Sequence, residues 1–132
     1  MIRKIDHVGI VVRDIDEALK VFSNIFGFEV VESITGPQQE FKLVLISKGN
    51  AFLELIEPID PEGSIARFLE QRGGGLHHIA LDVDDIEQEL ESLQAKSVSL
   101  VNKEPQSLLS ARVAFVHPRS TAGILIELMQ KV

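Results

Sequence analysis

Cysteine, tryptophan and tyrosine are all absent from this 132-residue chain. Without cysteine there are no disulfides, no thiolate metal ligands and no cysteine nucleophile, a composition that suits the cytosol. Aromatic residues make up 5% of the chain, all of them phenylalanine, which leaves little to stack on nucleic-acid bases. Basic residues are outnumbered: 13 Lys and Arg face 20 Asp and Glu, for a formal charge of −7. That balance argues against general binding to nucleic acid or an anionic membrane, while leaving room for a local basic pocket. Met1-Ile2-Arg3-Lys4-Ile5-Asp6 meets charge before any apolar run reaches signal-peptide length, and no stretch approaches the ~20 residues of a membrane helix. The expectation is a cytoplasmic protein with neither nucleic acid nor membrane as partner. The apolar fraction of 45% and charged fraction of 25% are ordinary for a globular chain, and the length fits a single domain over 1–132.

What the chain does contain is an internal repeat. Asp6-His7-Val8-Gly9-Ile10-Val11-Val12-Arg13-Asp14-Ile15-Asp16 returns as His77-His78-Ile79-Ala80-Leu81-Asp82-Val83-Asp84-Asp85-Ile86-Glu87, so that His7 and His78 stand 71 positions apart. Phe52-Leu53-Glu54-Leu55-Ile56 returns as Leu125-Ile126-Glu127-Leu128-Met129, placing Glu54 and Glu127 73 apart. Each half therefore supplies one His and one Glu at matching places.

Periodicity gives each half the order β-α-β-β-β. Ile5 to Val12 alternates, with Val8, Ile10 and Val12 on a helix-packed face and His7, Gly9 and Val11 on the other. Asp14 caps a helix whose inward positions are Ile15, Ala18, Leu19, Phe22 and Ile25/Phe26, ended by Gly27. Strands follow at Phe28 to Ser33, Phe41 to Ser47 and Ala51 to Glu57, the last two joined by a Lys48-Gly49-Asn50 turn. A connector over 58–75 carries a short helix, capped by Ser64 and stopped by Gly73-Gly74-Gly75. The second module predicts a strand at Leu76 to Val83, a helix from about Asp85 to Ala95, and a strand at Val98 to Val101. A loop over Asn102 to Ser110 then leads to strands at Ala111 to Val116 and Ile124 to Met129. The fold class expected is α+β: two tandem β-α-β-β-β modules, about 1–57 and 76–132, making an eight-stranded mixed sheet.

Glu54 and Glu127 lie mid-strand in otherwise apolar runs, where burying an unpaired carboxylate costs several kcal/mol. A divalent cation would supply the compensating charge, and two His with two carboxylates suit such an ion. Gly9 and Ala80, each two places after its His, leave space beside the imidazole. His77 and His117 are read as structural or supporting, and Glu57, opposite the ligand face of its strand, as solvated. Arg67, Arg72 and Lys42 are read as surface charges; Arg112, Arg119 and His77 are the candidates for holding substrate.

The motifs Asp6-His7-Val8-Gly9-Ile10-Val11-Val12, Glu54-Leu55-Ile56-Glu57-Pro58, Gly75-Leu76-His77-His78-Ile79-Ala80 and Val116-His117-Pro118-Arg119-Ser120-Thr121-Ala122-Gly123-Ile124-Leu125-Ile126-Glu127-Leu128 resemble the vicinal oxygen chelate superfamily over the whole chain. The double His and the His-Pro-Arg-Ser-Thr stretch look most like its methylmalonyl-CoA epimerase branch. The resemblance implies a sheet rolled around a metal cavity, His7, Glu54, His78 and Glu127 as ligands to one Co, Ni, Mn or Zn ion, and a homodimer. It implies an isomerase that takes the C2 proton from methylmalonyl-CoA or a related 2-acyl-CoA, with Glu127 as one base and Glu54 as its partner. The alternatives it carries are a glyoxalase I-like lactoylglutathione lyase, with the same ligands, and a non-catalytic binding or resistance protein. Two departures stand out: Glu104-Pro105-Gln106-Ser107-Leu108-Leu109-Ser110-Ala111-Arg112 replaces a glycine-rich loop, and the third strand, Phe41-Lys42-Leu43-Val44-Leu45-Ile46, has no carboxylate.

Overall fold

The structure, a computed structural model, describes residues 1–132. Its elements run β1 (Ile2–Val11), α1 (Ile15–Phe22), β2 (Glu29–Thr35), β3 (Phe41–Lys48), β4 (Ala51–Pro58), α2 (Ser64–Arg72), β5 (Gly75–Val83), α3 (Ile86–Ala95), β6 (Gln106–Leu108), β7 (Ala111–Val116) and β8 (Ile126–Lys131). The class is α+β, with an eight-stranded mixed sheet in the order β2-β3-β4-β1-β5-β8-β7-β6. No helix is long and apolar enough to cross a membrane. The chain forms two compact units, one of His7–His77 and one of Met1–Asp6 with His78–Val132.

In the His7–His77 unit, β1 pairs in parallel with β4 while β2, β3 and β4 form an antiparallel meander. Both faces of this sheet are covered. Ile10 and Val12 pack with Val44, Ile46 and Leu55 under Ile15, Ala18, Leu19 and Phe22 of α1, as the alternation of β1 predicts. Val11, Leu43 and Ile56, on the opposite face, pack against Ile65, Phe68 and Leu69 of α2. Gly73, at φ +76, ends α2 in the left-handed region, and at Gly74 a Cβ would stand 2.9 Å from the Val11 carbonyl oxygen. Only glycine lets the chain pass that close to β1.

The other unit repeats the plan. β5 pairs in parallel with β8, and β8, β7 and β6 are antiparallel neighbours. Val83, Ala114, Val116 and Leu128 pack against Ile86 and Leu90 of α3. Leu55 and Leu128 are each almost wholly buried at the centre of their clusters. Leu55→Ala and Leu128→Ala should each cost about 2–5 kcal/mol, read from urea midpoints at unchanged slope.

The repeat extends to the helix starts. Asp14 accepts from the Glu17 amide and Asp85 from the Gln88 amide, as capping predicts. Glu57 Oε1 also accepts the Ile15 amide at 2.8 Å, and Gln130 Oε1 accepts the Ile86 amide at 2.9 Å. Glu57 is therefore a helix cap that also faces Lys42 Nζ at 3.5 Å, and the expectation that it is merely solvated is corrected. Glu57→Ala and Gln130→Ala should each lower stability by about 1 kcal/mol in thermal unfolding, with Glu57→Ala the costlier because it also leaves Lys42 unpaired.

Three other expectations change. α1 stops at Phe22, so Ile25 and Phe26 are exposed rather than inward. Ser64 opens α2 but does not cap it; Gly63 holds the cap position, and Glu40 Oε1 accepts from the Ser64 amide and hydroxyl. Val98 to Val101 makes a single bridge, Leu100 to Val116, instead of a strand, and the pairing on β7 resumes at β6 inside the expected loop. Asn102 Oδ1 takes the Phe115 amide at 2.9 Å in place of a backbone carbonyl, and Pro105 has no N–H to offer. The edge strand is broken in two at that point.

Candidate metal centre and active site

In the His7–His77 unit, β1 and β4 place His7 and Glu54 on one sheet face. The parallel register sets Gly9 against Glu54, so the imidazole two residues earlier reaches towards the carboxylate across a position with no side chain. His7 is buried, Glu54 is 17% exposed, and His7 Nε2 lies 3.4 Å from Glu54 Oε2. On β3, Leu45 pairs with Glu54 and so shares its face.

The other unit builds the same arrangement from β5 and β8. Ala80 stands against Glu127, and His78 Nε2 lies 3.6 Å from Glu127 Oε1 with both side chains buried. Phe115 of β7 pairs with Glu127, and its ring meets the His78 imidazole edge-on with centroids 6.2 Å apart. Further along the same face of β5, Asp82 is buried and held by Arg3, whose Nε lies 3.3 Å from Asp82 Oδ2 and whose Nη2 donates to Oδ1. The β5 alternation His78, Ala80, Asp82 made the placement of Asp82 readable in advance; the role of Phe115 depended on the β7–β8 register.

These donors fit a divalent ion. Two neighbouring ligands about 2.1 Å from one ion stand roughly 3.0–3.4 Å apart, depending on geometry. The spacings of 3.4 and 3.6 Å are close to that and longer than a good N–H···O hydrogen bond. Among the side chains suited to holding a metal are His7, Glu54 and His78, and their nitrogen and oxygen donors match first-row divalent ions rather than thiophilic ones.

The residues expected to touch substrate are dispersed. His77 is half-buried, its ring edge-on to Phe68 at 4.8 Å, and Arg72 covers Phe68 at 5.5 Å. Burial, with the nearby Arg72 charge second, pushes the His77 pKa below its ordinary value. Arg112 ion-pairs with Glu87 of α3 and, on β7, alternates to the helix-packed side rather than the side of Glu127. Arg119 is exposed in the short 3₁₀ turn Pro118–Ser120, its amide donating to His117 Nδ1. His117 thus caps that turn, in keeping with a structural role.

A family model described as the Glyoxalase/Bleomycin resistance protein/Dioxygenase superfamily matches residues 6–115. The chain belongs to this superfamily. Among superfamily relatives, the uncharacterized protein YqjC of Bacillus subtilis (strain 168) is 34% identical over 96% of this chain and 91% of its own length. The mitochondrial methylmalonyl-CoA epimerase of Dictyostelium discoideum is 33% identical, covering 98% of this chain and 80% of that protein. Among solved structures, a variant of the Streptomyces coelicolor methylmalonyl-CoA epimerase in complex with 2-nitronate-propionyl-CoA matches with a TM-score of 0.92 at 27% identity, over 100% of this chain and 96% of that one. The repeat of a buried His and a carboxylate in both halves is thus set in a superfamily fold whose similar members include enzymes of that name.

Proposed function

We propose that this protein is a divalent-metal-dependent epimerase acting at C2 of methylmalonyl-CoA or a related 2-acyl-CoA. The observation that carries the reading is the twofold pair of a buried His and a carboxylate, in the same register in each half, in a chain about a third identical to methylmalonyl-CoA epimerases. His7, Glu54, His78 and Glu127 would hold one Co, Ni, Mn or Zn ion. When bound, the ion would supply positive charge to an enolate oxygen developing on the thioester.

The chain's own groups move the proton. Glu127 takes the C2 proton onto a carboxylate oxygen, and the electron pair of the C–H bond moves into the enolate. Glu54, from the other repeat, carries a proton at the start of the cycle and gives it to the opposite face, which inverts C2 and leaves Glu127 protonated and Glu54 ionised. Leu45 and Phe115, the cross-strand neighbours of Glu54 and Glu127, are apolar and lower the polarity around the two carboxylates. A cytoplasmic location suits a chain without cysteine, and a homodimer is the form the family resemblance implies.

The test is proton NMR of methylmalonyl-CoA in deuterated water with the cobalt-loaded protein. Metal-dependent loss of the C2 proton signal is the expected result. No exchange by fully loaded protein would remove this substrate. Turnover of a glutathione hemithioacetal in its place would make the protein a lactoylglutathione lyase.

A further inference from the structure

The two repeats differ in what stands beside each carboxylate. The position across from Glu54 on β3 is Leu45, whereas that across from Glu127 on β7 is Phe115. Both backbone polar groups of Phe115 are held by the segment that breaks the edge strand: its amide donates to Asn102 Oδ1 at 2.9 Å, and its carbonyl accepts from the Val101 amide at 2.8 Å and the Asn102 amide at 3.3 Å. An ordinary edge strand would bond to Phe115 through backbone groups alone. Here a side-chain amide is placed at this one residue, and the strand is interrupted to place it.

The ring so held meets the His78 imidazole at an interplanar angle of 88° and, being only partly buried, keeps part of its surface open. An edge-to-face contact has a preferred ring geometry, so turning the imidazole about its Cβ–Cγ bond gives up a directional contact that aliphatic packing does not offer. The same ring occupies the cross-strand position next to Glu127, where a substituent on a carbon being deprotonated by that carboxylate would have to fit.

We propose that Phe115, clamped by Asn102, is a positioning and specificity residue: it sets the orientation of the His78 imidazole and limits the C2 substituent beside Glu127 to a small alkyl group. The specificity half rests on the epimerase reading; the orientation half does not.

The experiment compares wild type, Phe115→Ala, Phe115→Leu, Asn102→Ala and Asn102→Asp as full chains. C2 exchange is followed for methylmalonyl-CoA and for ethylmalonyl-CoA, which carries one more methylene. Phe115→Ala should raise kcat/KM for the larger thioester relative to the smaller by about 10-fold, the scale of one methylene in a fitted pocket. Phe115→Leu should move it in the same direction and serves if the alanine variant does not fold. In the metal-free labelled protein, the His78 ring signals, read as NOE cross-peaks to fixed neighbours so that loss of the Phe115 ring current does not count, should move in both Phe115 variants and in Asn102→Ala. Asn102→Asp keeps the oxygen acceptor and should restore the wild-type positions, and the His117 signals should stay put throughout. A substrate ratio within about twofold of wild type, or unmoved His78 signals in Phe115→Leu, would overturn the proposal. If wild type exchanges neither thioester, the epimerase reading fails, and the His78 signals alone decide whether Phe115 orients the ligand.

Discussion

Glu127→Gln is expected to slow C2 exchange by roughly 10²- to 10⁴-fold, the scale of losing a positioned general base. The substitution keeps the shape of a buried side chain and an oxygen beside His78, but removes the charge and the basicity. Packing around β8 should therefore survive, since Leu128 and its cluster lie on the opposite face of the strand. The melting temperature should stay near that of the wild type while exchange collapses, a combination that separates lost chemistry from lost fold. Glu54→Gln should also reduce epimerisation, yet leave more one-sided exchange of the C2 proton if Glu127 alone removes it from one enantiomer. Each enantiomer of the substrate would therefore be assayed with each variant. If Glu127→Gln keeps a tenth or more of the wild-type exchange rate with both enantiomers, Glu127 is not the base.

The second large effect concerns the metal. His7→Ala and His78→Ala each delete a buried imidazole that faces a carboxylate, and each should weaken cobalt binding by more than the roughly 10- to 100-fold that losing a supporting hydrogen bond costs a metal site. Cobalt titration followed by its visible absorption measures this without any substrate. The informative feature is parity. His7 and His78 come from different repeats, so a shared ion requires both substitutions to hurt. A variant that binds cobalt with wild-type affinity would take its repeat out of the metal centre.

Much of the site was legible because two independent signals coincided. Period-two alternation put His7 with Gly9, and His78 with Ala80, on one face of their strands, and the repeat recurred at Glu54 and Glu127, 73 positions apart against 71 for the His pair. Local chemistry also told where the helices start, since Asp14 and Asp85 are good N-caps followed by apolar residues at helical spacing. Errors arose where a long-range partner overrode a local rule. Glu57 has the polarity of a surface residue, but the register of β4 brings it under the start of α1. Ser64 is a good cap by type, yet Glu40, 24 residues earlier, supplies the oxygen. The sequence around Val98 to Val101 is β-prone, but the Asn102 side chain and Pro105 interrupt the ladder and move the next paired segment to Gln106–Leu108.

From the residues alone came the duplication, the α+β class, the order of elements within each half, and the choice of His7, Glu54, His78 and Glu127 as the residues worth testing. These are consequences of periodicity and of the cost of burying charge, both of which act along a strand. Tertiary structure decided which atoms meet: the 3.4 and 3.6 Å spacings of the His–carboxylate pairs, the Arg3–Asp82 pair, the caps from Glu57 and Gln130, and Phe115 beside Glu127. Strand register is the reason. A shift of one residue in β4 or β8 would leave every propensity unchanged, yet turn Glu54 and Glu57, or Glu127 and Gln130, to the other face of the sheet.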